Sequence, residues 1–170
     1  MRKAVRLRSL QDAGTMKSRS LQAAWIQRLD AHFLIAVVGA VPFWLLVGWG
    51  GAGKVYLPLG MPAWVAFVLW QPLLEEWVFR GLLQGELSRR LGAWAVAGIS
   101  PANVVTTVCF VIAHLFHQPL AWALAVALPS LVLGYLRDRL DSTWPAAMLH
   151  SIYNAGFGVA AWFALRSGLG

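Results

Sequence analysis

The sequence predicts an all-α fold, a polytopic bundle of about five membrane-spanning helices. Of the 170 residues, 59% are hydrophobic and only 12% are charged, whereas soluble domains are about 25% charged. Long apolar runs without a formal charge and ten tryptophans, which favour the bilayer interface, point the same way. The fourteen Lys and Arg residues cluster towards the N-terminus. Such a bias is typical of membrane proteins, in which positive charges determine the orientation of the chain in the bilayer.

Residues 1–30 are basic and predict a cytoplasmic or interfacial tail, followed by a membrane domain at 31–170. We interpret the first apolar run as an uncleaved signal anchor, and Met16 is an alternative start to Met1. The net charge of +7 fits attraction to anionic lipid, and no soluble basic surface with base-reading groups predicts nucleic-acid binding. The single cysteine, Cys109, excludes an intrachain disulfide.

The apolar runs predict where each helix lies. Residues 31–53 are long enough to cross a hydrocarbon core of about 30 Å, and a glycine-rich turn around residues 48–54 ends this helix. A second helix is predicted at about 63–87, with Pro62 in its first turn and a break at Pro72.

Residues 91–136 carry no formal charge but are too many for one crossing. Ser100 and Pro101 suit an N-cap and a first turn, and His117 to Pro119 suits a turn. We therefore predict a third helix at 101–117 and a fourth at 120–136. A charged loop is expected at 137–141, and a fifth helix at 144–165.

Charge bias orients this bundle. With the N-terminus inside, eleven positive residues lie on the inside and two, Lys54 and Arg166, lie outside. The positive-inside rule thus predicts an N-in, C-out topology, with Arg80 left within the membrane.

The second helix carries Glu75, Glu76 and Arg80. Charged side chains in hydrocarbon cost about 2.5–3.5 kcal/mol on insertion scales, so they usually serve a function. Glu76 and Arg80 are four residues apart and should pair, which suits a structural clamp. Glu75 is rotated by about 100° and has no arginine on its own face, so it is the candidate general base or acid.

Further polar residues lie at similar predicted depths on the third and fifth helices. They are His114, four residues after Phe110, and His150, which shares a helix face with Asn154. A lone membrane histidine is as often structural as functional, so the prediction depends on the whole set. Less specific polar residues could serve packing or helix–helix hydrogen bonds: Asn103, Thr106, Thr107, Ser130, Ser151 and Tyr153.

Three motifs in this order resemble the CAAX-protease and bacteriocin-processing family of intramembrane glutamic endopeptidases. They are Glu-Glu-x-x-x-Arg at Glu75, Phe-x-x-x-His at Phe110, and His-x-x-x-Asn at His150. Phe-Arg-Gly-Leu-Leu after the glutamates is also similar, and the resemblance covers about residues 70–156. Each motif alone is weak, but the ordered set is specific.

The resemblance implies hydrolysis of a peptide bond within the membrane. It implies that Glu75 activates water with help from His114, and that His150 and Asn154 stabilise the oxyanion. Glu76, Arg80 and Phe110 would support the site. No cofactor is expected, although two Glu and two His could bind zinc in a metalloprotease version. A non-catalytic immunity or transport protein is the remaining alternative.

The same resemblance implies the setting. The expected partners are the lipid bilayer and a membrane-associated, lipidated or C-terminally anchored protein substrate, and the expected location is the inner membrane of a bacterium. Bacteriocin processing, immunity, anchor sorting and prenyl-type processing all stay open as biological roles.

Overall fold

A computed structural model describes residues 31–50, 60–92 and 94–166. Within these ranges the chain forms five helices, and the isolated bridge between Val96 and Ile99 accounts for all the β structure. The helices are α1 (Ala31–Gly50), α2 (residues 61–91), α3 (Pro101–Leu115), α4 (Leu120–Leu140) and α5 (Trp144–Arg166). The all-α prediction is confirmed, whereas the predicted tail at 1–30 and most of the glycine-rich turn lie outside the described residues.

The helix starts follow the signals in the sequence. The Ser100 side chain caps α3 by accepting a hydrogen bond from the Asn103 N–H at 3.0 Å, and Pro101 occupies the first turn. Pro62 and Pro145 likewise lie in the first turns of α2 and α5. Proline fits there because the first N–H groups of a helix have no intrahelical partner.

The charged loop predicted at 137–141 is wrong for most of its length. Helix α4 continues through Leu140 and ends at Asp141, which is left-handed with a φ of 46°. The charged residues find long-range partners, because Asp138 accepts from the Ser100 hydroxyl at 2.6 Å and Arg137 donates to the Arg80 carbonyl. These bonds make a helical course favourable where the local sequence indicates a loop.

Helix α4 is interrupted once. Its two parts, Leu120–Ala125 and Ala127–Leu140, meet at Val126, whose ψ of −9° departs from the α-helical value. Pro129 accounts for the interruption, since it has no N–H and its ring clashes with the carbonyl four residues earlier.

Polar side chains are buried in the interior beside an apolar core, and large apolar side chains lie on the surface. Its buried polar side chains include an ion pair and several hydroxyls and amides: Glu76, Arg80, Gln84, Ser100, Asn103, Thr106, Thr107 and Ser130. Large apolar side chains lie on the surface instead, among them Leu46, Phe116 and Leu128, each at least 70% exposed. This distribution suits surroundings of lipid, where apolar surface carries no penalty and charged groups turn inward.

The helices differ in whether their length and composition suffice to cross a membrane. Among the described residues α4 alone is long and apolar enough to cross a bilayer by length and composition, and Ala31–Leu46 and Pro101–Leu115 are apolar but shorter. The buried polar residues lie on α2, α3 and α4, and the polar residues His150 and Asn154 of α5 are half-buried.

Close packing of α1 on α5 places the fifth helix. The Trp44 indole donates to the Tyr153 carbonyl at 3.2 Å, and the Tyr153 hydroxyl donates to the Ala36 carbonyl at 3.1 Å. Gly156 allows this approach, since a Cβ there would lie 2.3 Å from the Trp44 ring. One face of α5 is thus held by α1, and its opposite face meets α2 and α4.

Candidate active site

Two π-helical turns flank the glutamate pair. Helix α2 is α-helical at Met61–Val65, π-helical at Ala66–Trp70, α-helical at Gln71–Glu76, π-helical at Trp77–Leu83 and α-helical again at Gln84–Leu91. Single π turns are rare inside helices and are frequent at functional sites. The break predicted at Pro72 therefore takes the form of a π turn just before it. In an α-helix the Val68 carbonyl would accept from the N–H of residue 72, which proline lacks. With i→i+5 bonding the Val68 carbonyl no longer depends on that N–H.

Glu76 is fully buried and bonded twice through one oxygen. Its Oε1 accepts from Nη1 of Arg80 at 3.0 Å, which confirms the predicted pair. The same oxygen lies 2.8 Å from Nδ1 of His150, 74 residues away, so that the histidine donates this proton to the carboxylate. Glu76 is thus more than a clamp within α2, because it also joins α2 to α5 and orients the His150 ring.

Arg80 extends the buried network to α3 and α4. Its Nη2 donates to the Ser130 carbonyl at 3.0 Å and to the Ser130 hydroxyl at 2.7 Å. Its guanidinium carbon lies 4.6 Å from the centre of the Phe110 ring, which suits a cation–π contact. The Thr107 hydroxyl is 2.9 Å from that of Ser130, so α2, α3 and α4 meet at one polar layer.

Glu75 is the carboxylate that lies open. Its side chain is 33% exposed, and its Oε2 lies 3.9 Å from Nε2 of His150. That distance exceeds a direct hydrogen bond, but it is short enough for one water molecule to contact both atoms. His150 therefore turns one ring nitrogen to each glutamate: Nδ1 bonds to Glu76 and Nε2 faces Glu75.

His114 joins this group through Phe110. Its Nδ1 donates to the Phe110 carbonyl at 2.9 Å, which leaves the lone pair of the neutral ring on Nε2. The Phe110 ring centre lies 4.4 Å from that of His114 and 6.2 Å from that of His150. The two histidines thus flank one aromatic ring, although neither bonds directly to the other.

Asn154 lies one turn beyond His150 on α5, and its amide is turned towards the backbone of α2. Its Nδ2 donates to the Phe67 carbonyl at 2.9 Å. The resemblance implies that this amide stabilises an oxyanion, and one of its two protons is engaged at the first π turn. The structure thus brings Glu75, Glu76 and His150 together and places Asn154 about two turns of α2 away from the glutamates.

Two residues that support the site were not predicted from the sequence. Gln84 is buried and donates to the Gly134 carbonyl at 2.9 Å, and Arg137 donates to the Arg80 carbonyl at 3.2 Å. Gln84 could have been found, because Glu76, Arg80 and Gln84 recur every four residues and share one helix face. No local signal reveals Arg137, whose partner lies 57 residues away.

An apolar cavity of about 200 Å³ lies between α2 and α5. Its lining includes Leu73, two residues before Glu75, and Ser151, which follows His150. The other lining residues are Leu69, Trp144, Ala147 and Met148. The cavity can receive an apolar group, although neither glutamate is among its lining residues.

The donor atoms around the glutamates do not fit a catalytic zinc ion well. Glu76 Oε1 is shared by Arg80 and His150, and the donors left unengaged around the glutamates within the described residues are Glu75, Nε2 of His150 and the buried Oε2 of Glu76. Catalytic zinc takes three protein ligands, and the described ranges contain no group of three His, Cys, Asp or Glu residues placed to hold a metal.

Comparison with known proteins gives one match. No curated protein and no solved structure matches the chain. The sequence model of one protein family matches residues 57–156, which is more than half of the chain and includes both glutamates, both histidines and Asn154. That family consists of membrane-embedded proteases, and the chain belongs to it: the type II CAAX prenyl endopeptidase Rce1-like family.

Proposed function

We propose that this protein is an intramembrane endopeptidase of the glutamic type, in which Glu75 activates the attacking water. The observation that carries the proposal is the division of the glutamate pair. Glu76 is buried and bonded to Arg80 and His150, whereas Glu75 is open and faces Nε2 of His150 at 3.9 Å. A carboxylate that keeps its proton-accepting capacity beside a histidine is what a general base requires.

Peptide hydrolysis follows from this arrangement in two steps. Glu75 takes a proton from water, and the hydroxide forms a bond to the carbonyl carbon while the C=O π electrons move to oxygen. The resulting tetrahedral intermediate collapses, the C–N bond breaks, and the leaving amine takes the proton from Glu75. His114 assists through Nε2, the ring nitrogen left with a lone pair by the bond to Phe110.

His150 is the proposed partner of the oxyanion. When both ring nitrogens of His150 carry a proton, the N–H at Nε2 points towards Glu75 and the reacting group. The N–H at Nδ1 stays bonded to Glu76. A donor held in place before reaction stabilises the developing charge more than water does. The Asn154 amide donates one of its two protons to the Phe67 carbonyl, so we assign the oxyanion first to His150, with the second Asn154 proton as a further donor.

The proposed substrate is a membrane-associated protein that is lipidated or anchored at its C-terminus. The apolar exterior and the apolar cavity between α2 and α5 support entry of an apolar group from the lipid. The proposed setting is the inner membrane of a bacterium, crossed several times with the N-terminus inside. A metal-free mechanism is proposed because the positive charge of Arg80 lies 3.0 Å from the Glu76 carboxylate, which disfavours a metal cation at that group.

Cleavage by the purified full chain tests the proposal. The probe is a quenched peptide with a prenylated cysteine followed by three residues, offered in liposomes, with the unprenylated peptide in parallel. We expect Glu75→Gln to lower kcat by about 10²–10⁴-fold, the usual contribution of a general base. Glu86→Gln is the matched control, because Glu86 lies on the same helix but pairs with Arg89 and Arg90 at the surface.

Two outcomes would overturn the proposal. Full cleavage by Glu75→Gln would remove Glu75 as the base, and absence of cleavage of any membrane-anchored peptide by the wild type would favour a non-catalytic protein. Treatment with a chelator decides between mechanisms: we expect unchanged kcat, whereas loss of activity that stoichiometric zinc restores would establish the metalloprotease alternative.

A further inference from the structure

The first π turn of α2 leaves one backbone carbonyl to be satisfied from outside the helix. The N–H of Gln71 closes the turn by bonding to the Ala66 carbonyl, five residues back. The next carbonyl, that of Phe67, would need the N–H of residue 72, but residue 72 is proline. Asn154 fills this position by donating Nδ2 to the Phe67 carbonyl at 2.9 Å.

The second π turn also receives a side-chain donor, although the residue five positions after Arg80 is Gly85, which keeps its own N–H. The N–H of Gln84 closes it by bonding to the Phe79 carbonyl, again five residues back. The next carbonyl, that of Arg80, accepts from Nε of Arg137 on α4 at 3.2 Å. Gly85 leaves room for this approach, because a Cβ there would lie 3.3 Å from Nη2 of Arg137.

Asn154 and Arg137 each donate to a backbone carbonyl at a π turn, and we call them the two caps. The carbonyls that they bind lie on either side of the glutamates. Phe67 precedes Glu75 by eight residues and Arg80 follows Glu76 by four. Each cap comes from a different neighbouring helix, Asn154 from α5 and Arg137 from α4. The short α segment Gln71–Glu76 is therefore held at both ends by side chains from outside α2.

We propose that Asn154 and Arg137 are positioning residues that lock the two π turns and so fix the direction in which Glu75 and Glu76 point. A π turn accommodates one extra residue, and its loss would rotate the helix beyond it by about 100° relative to the part before it. Such a rotation would carry Glu75 away from Nε2 of His150. The catalytic part of this inference rests on the proposed function, since it concerns the placement of the base.

Pro72 supplies a direct test of the Asn154 cap. In Pro72→Ala, residue 72 gains an N–H, so the Phe67 carbonyl finds a backbone donor in either the π or the α register. Asn154→Ala should then lower the apparent melting temperature in detergent by about 3–10 °C when residue 72 is proline, because it leaves a buried carbonyl unpaired. With alanine at residue 72, Asn154→Ala should lower the apparent melting temperature by less than half as much.

A matched control separates this coupling from a general loss of stability. Asn103 is also a buried asparagine that donates Nδ2 to a backbone carbonyl on a neighbouring helix, that of Leu131 at 2.9 Å. Asn103→Ala should cost the same in both backgrounds, because distant sites contribute additively. Equal costs of Asn154→Ala in the two backgrounds would overturn the Asn154 cap.

Cleavage kinetics test the positioning role. We expect Asn154→Ala and Arg137→Met each to lower kcat about 10–100-fold with KM nearly unchanged, since a misplaced base slows the chemical step. Pro72→Ala should reduce the loss caused by Asn154→Ala. Arg90→Met, at the exposed end of α2, is the control for the loss of an arginine and should retain wild-type kcat.

The outcomes distinguish the two proposals. If the wild type fails to cleave or Glu75→Gln cleaves normally, the proposed function fails, while the melting temperatures still decide whether Asn154 caps the turn. If cleavage requires Glu75 but Asn154→Ala lowers kcat equally in both backgrounds, the positioning role fails and a direct contact of Asn154 with the substrate is supported instead.

Discussion

At the scale of single residues, the two adjacent glutamates have different surroundings. Glu76 is fully buried and bonded to Arg80 and His150, whereas Glu75 keeps a third of its side chain exposed. Burying two charges is costly unless they are paired and hydrogen-bonded. The Glu76–Arg80 pair meets this condition in part through Ser130 and His150, while Oε2 of Glu76 and Nε of Arg80 have no partner among the described residues. The open carboxylate of Glu75 stays available for chemistry.

Removal of Arg80 should therefore act on stability. Arg80→Met leaves the Glu76 charge buried without its main partner and removes the two bonds to Ser130, so we expect a loss of about 3–5 kcal/mol in the free energy of unfolding. The apparent melting temperature in detergent measures this loss. Arg90→Met, which removes an exposed arginine of the same helix, should change it little; an equally stable Arg80→Met protein would contradict the role assigned to the pair.

The sequence predicts the i, i+4 contacts of this site but not its long-range ones. Glu76 and Arg80 share a helix face, and their pairing follows from spacing alone. The bond from His150 to Glu76 spans 74 residues, and the bond from Arg137 to the Arg80 carbonyl spans 57. Such contacts depend on how the helices pack, which spacing within one helix does not determine.

At the scale of helices, boundaries marked by proline or serine could be predicted, and irregular turns could not. The starts of α2, α3 and α5 follow from Pro62, Ser100 and Pro145. Pro72 signals an irregularity, but only the structure shows that it is a π turn whose free carbonyl is bound by Asn154. The extension of α4 to Leu140 likewise depends on partners on other helices.

Close packing of α1 on α5 makes Gly156 sensitive to substitution. A Cβ at this position would lie 2.3 Å from the Trp44 ring, which the bond from its indole N–H to the Tyr153 carbonyl holds in place. We expect Gly156→Ala to lower the free energy of unfolding by about 1–3 kcal/mol, as overpacking does. Gly39→Ala is the control, because a Cβ there meets nothing within 4 Å; equal effects of the two changes would contradict this packing.

At the scale of the whole molecule, the distribution of polarity matches membership of a membrane-embedded protease family. Apolar side chains face outward and the ion pair lies within. The positive-inside rule predicts a direction, in which the N-terminus and the α2–α3 and α4–α5 connections would lie on the inside. Composition alone predicts the membrane class, because charged residues are few and apolar runs are long.

The topology can be tested by labelling single cysteines. In a Cys109→Ser background, His117→Cys lies in the exposed turn between α3 and α4, and Ala95→Cys lies in the exposed connection between α2 and α3. With the N-in orientation, a membrane-impermeant maleimide should label residue 117 in intact spheroplasts and residue 95 only after lysis. The reverse pattern would contradict the predicted orientation.

The central claim is that Glu75 performs the chemistry while Glu76 organises the site. The most direct measurement compares kcat for Glu75→Gln and Glu76→Gln on the same prenylated peptide. We predict a loss of about 10²–10⁴-fold for Glu75→Gln. The loss for Glu76→Gln should be much smaller, because a glutamine oxygen can still accept from Arg80 and His150. Equal losses, or a larger loss at Glu76, would contradict this division of the pair.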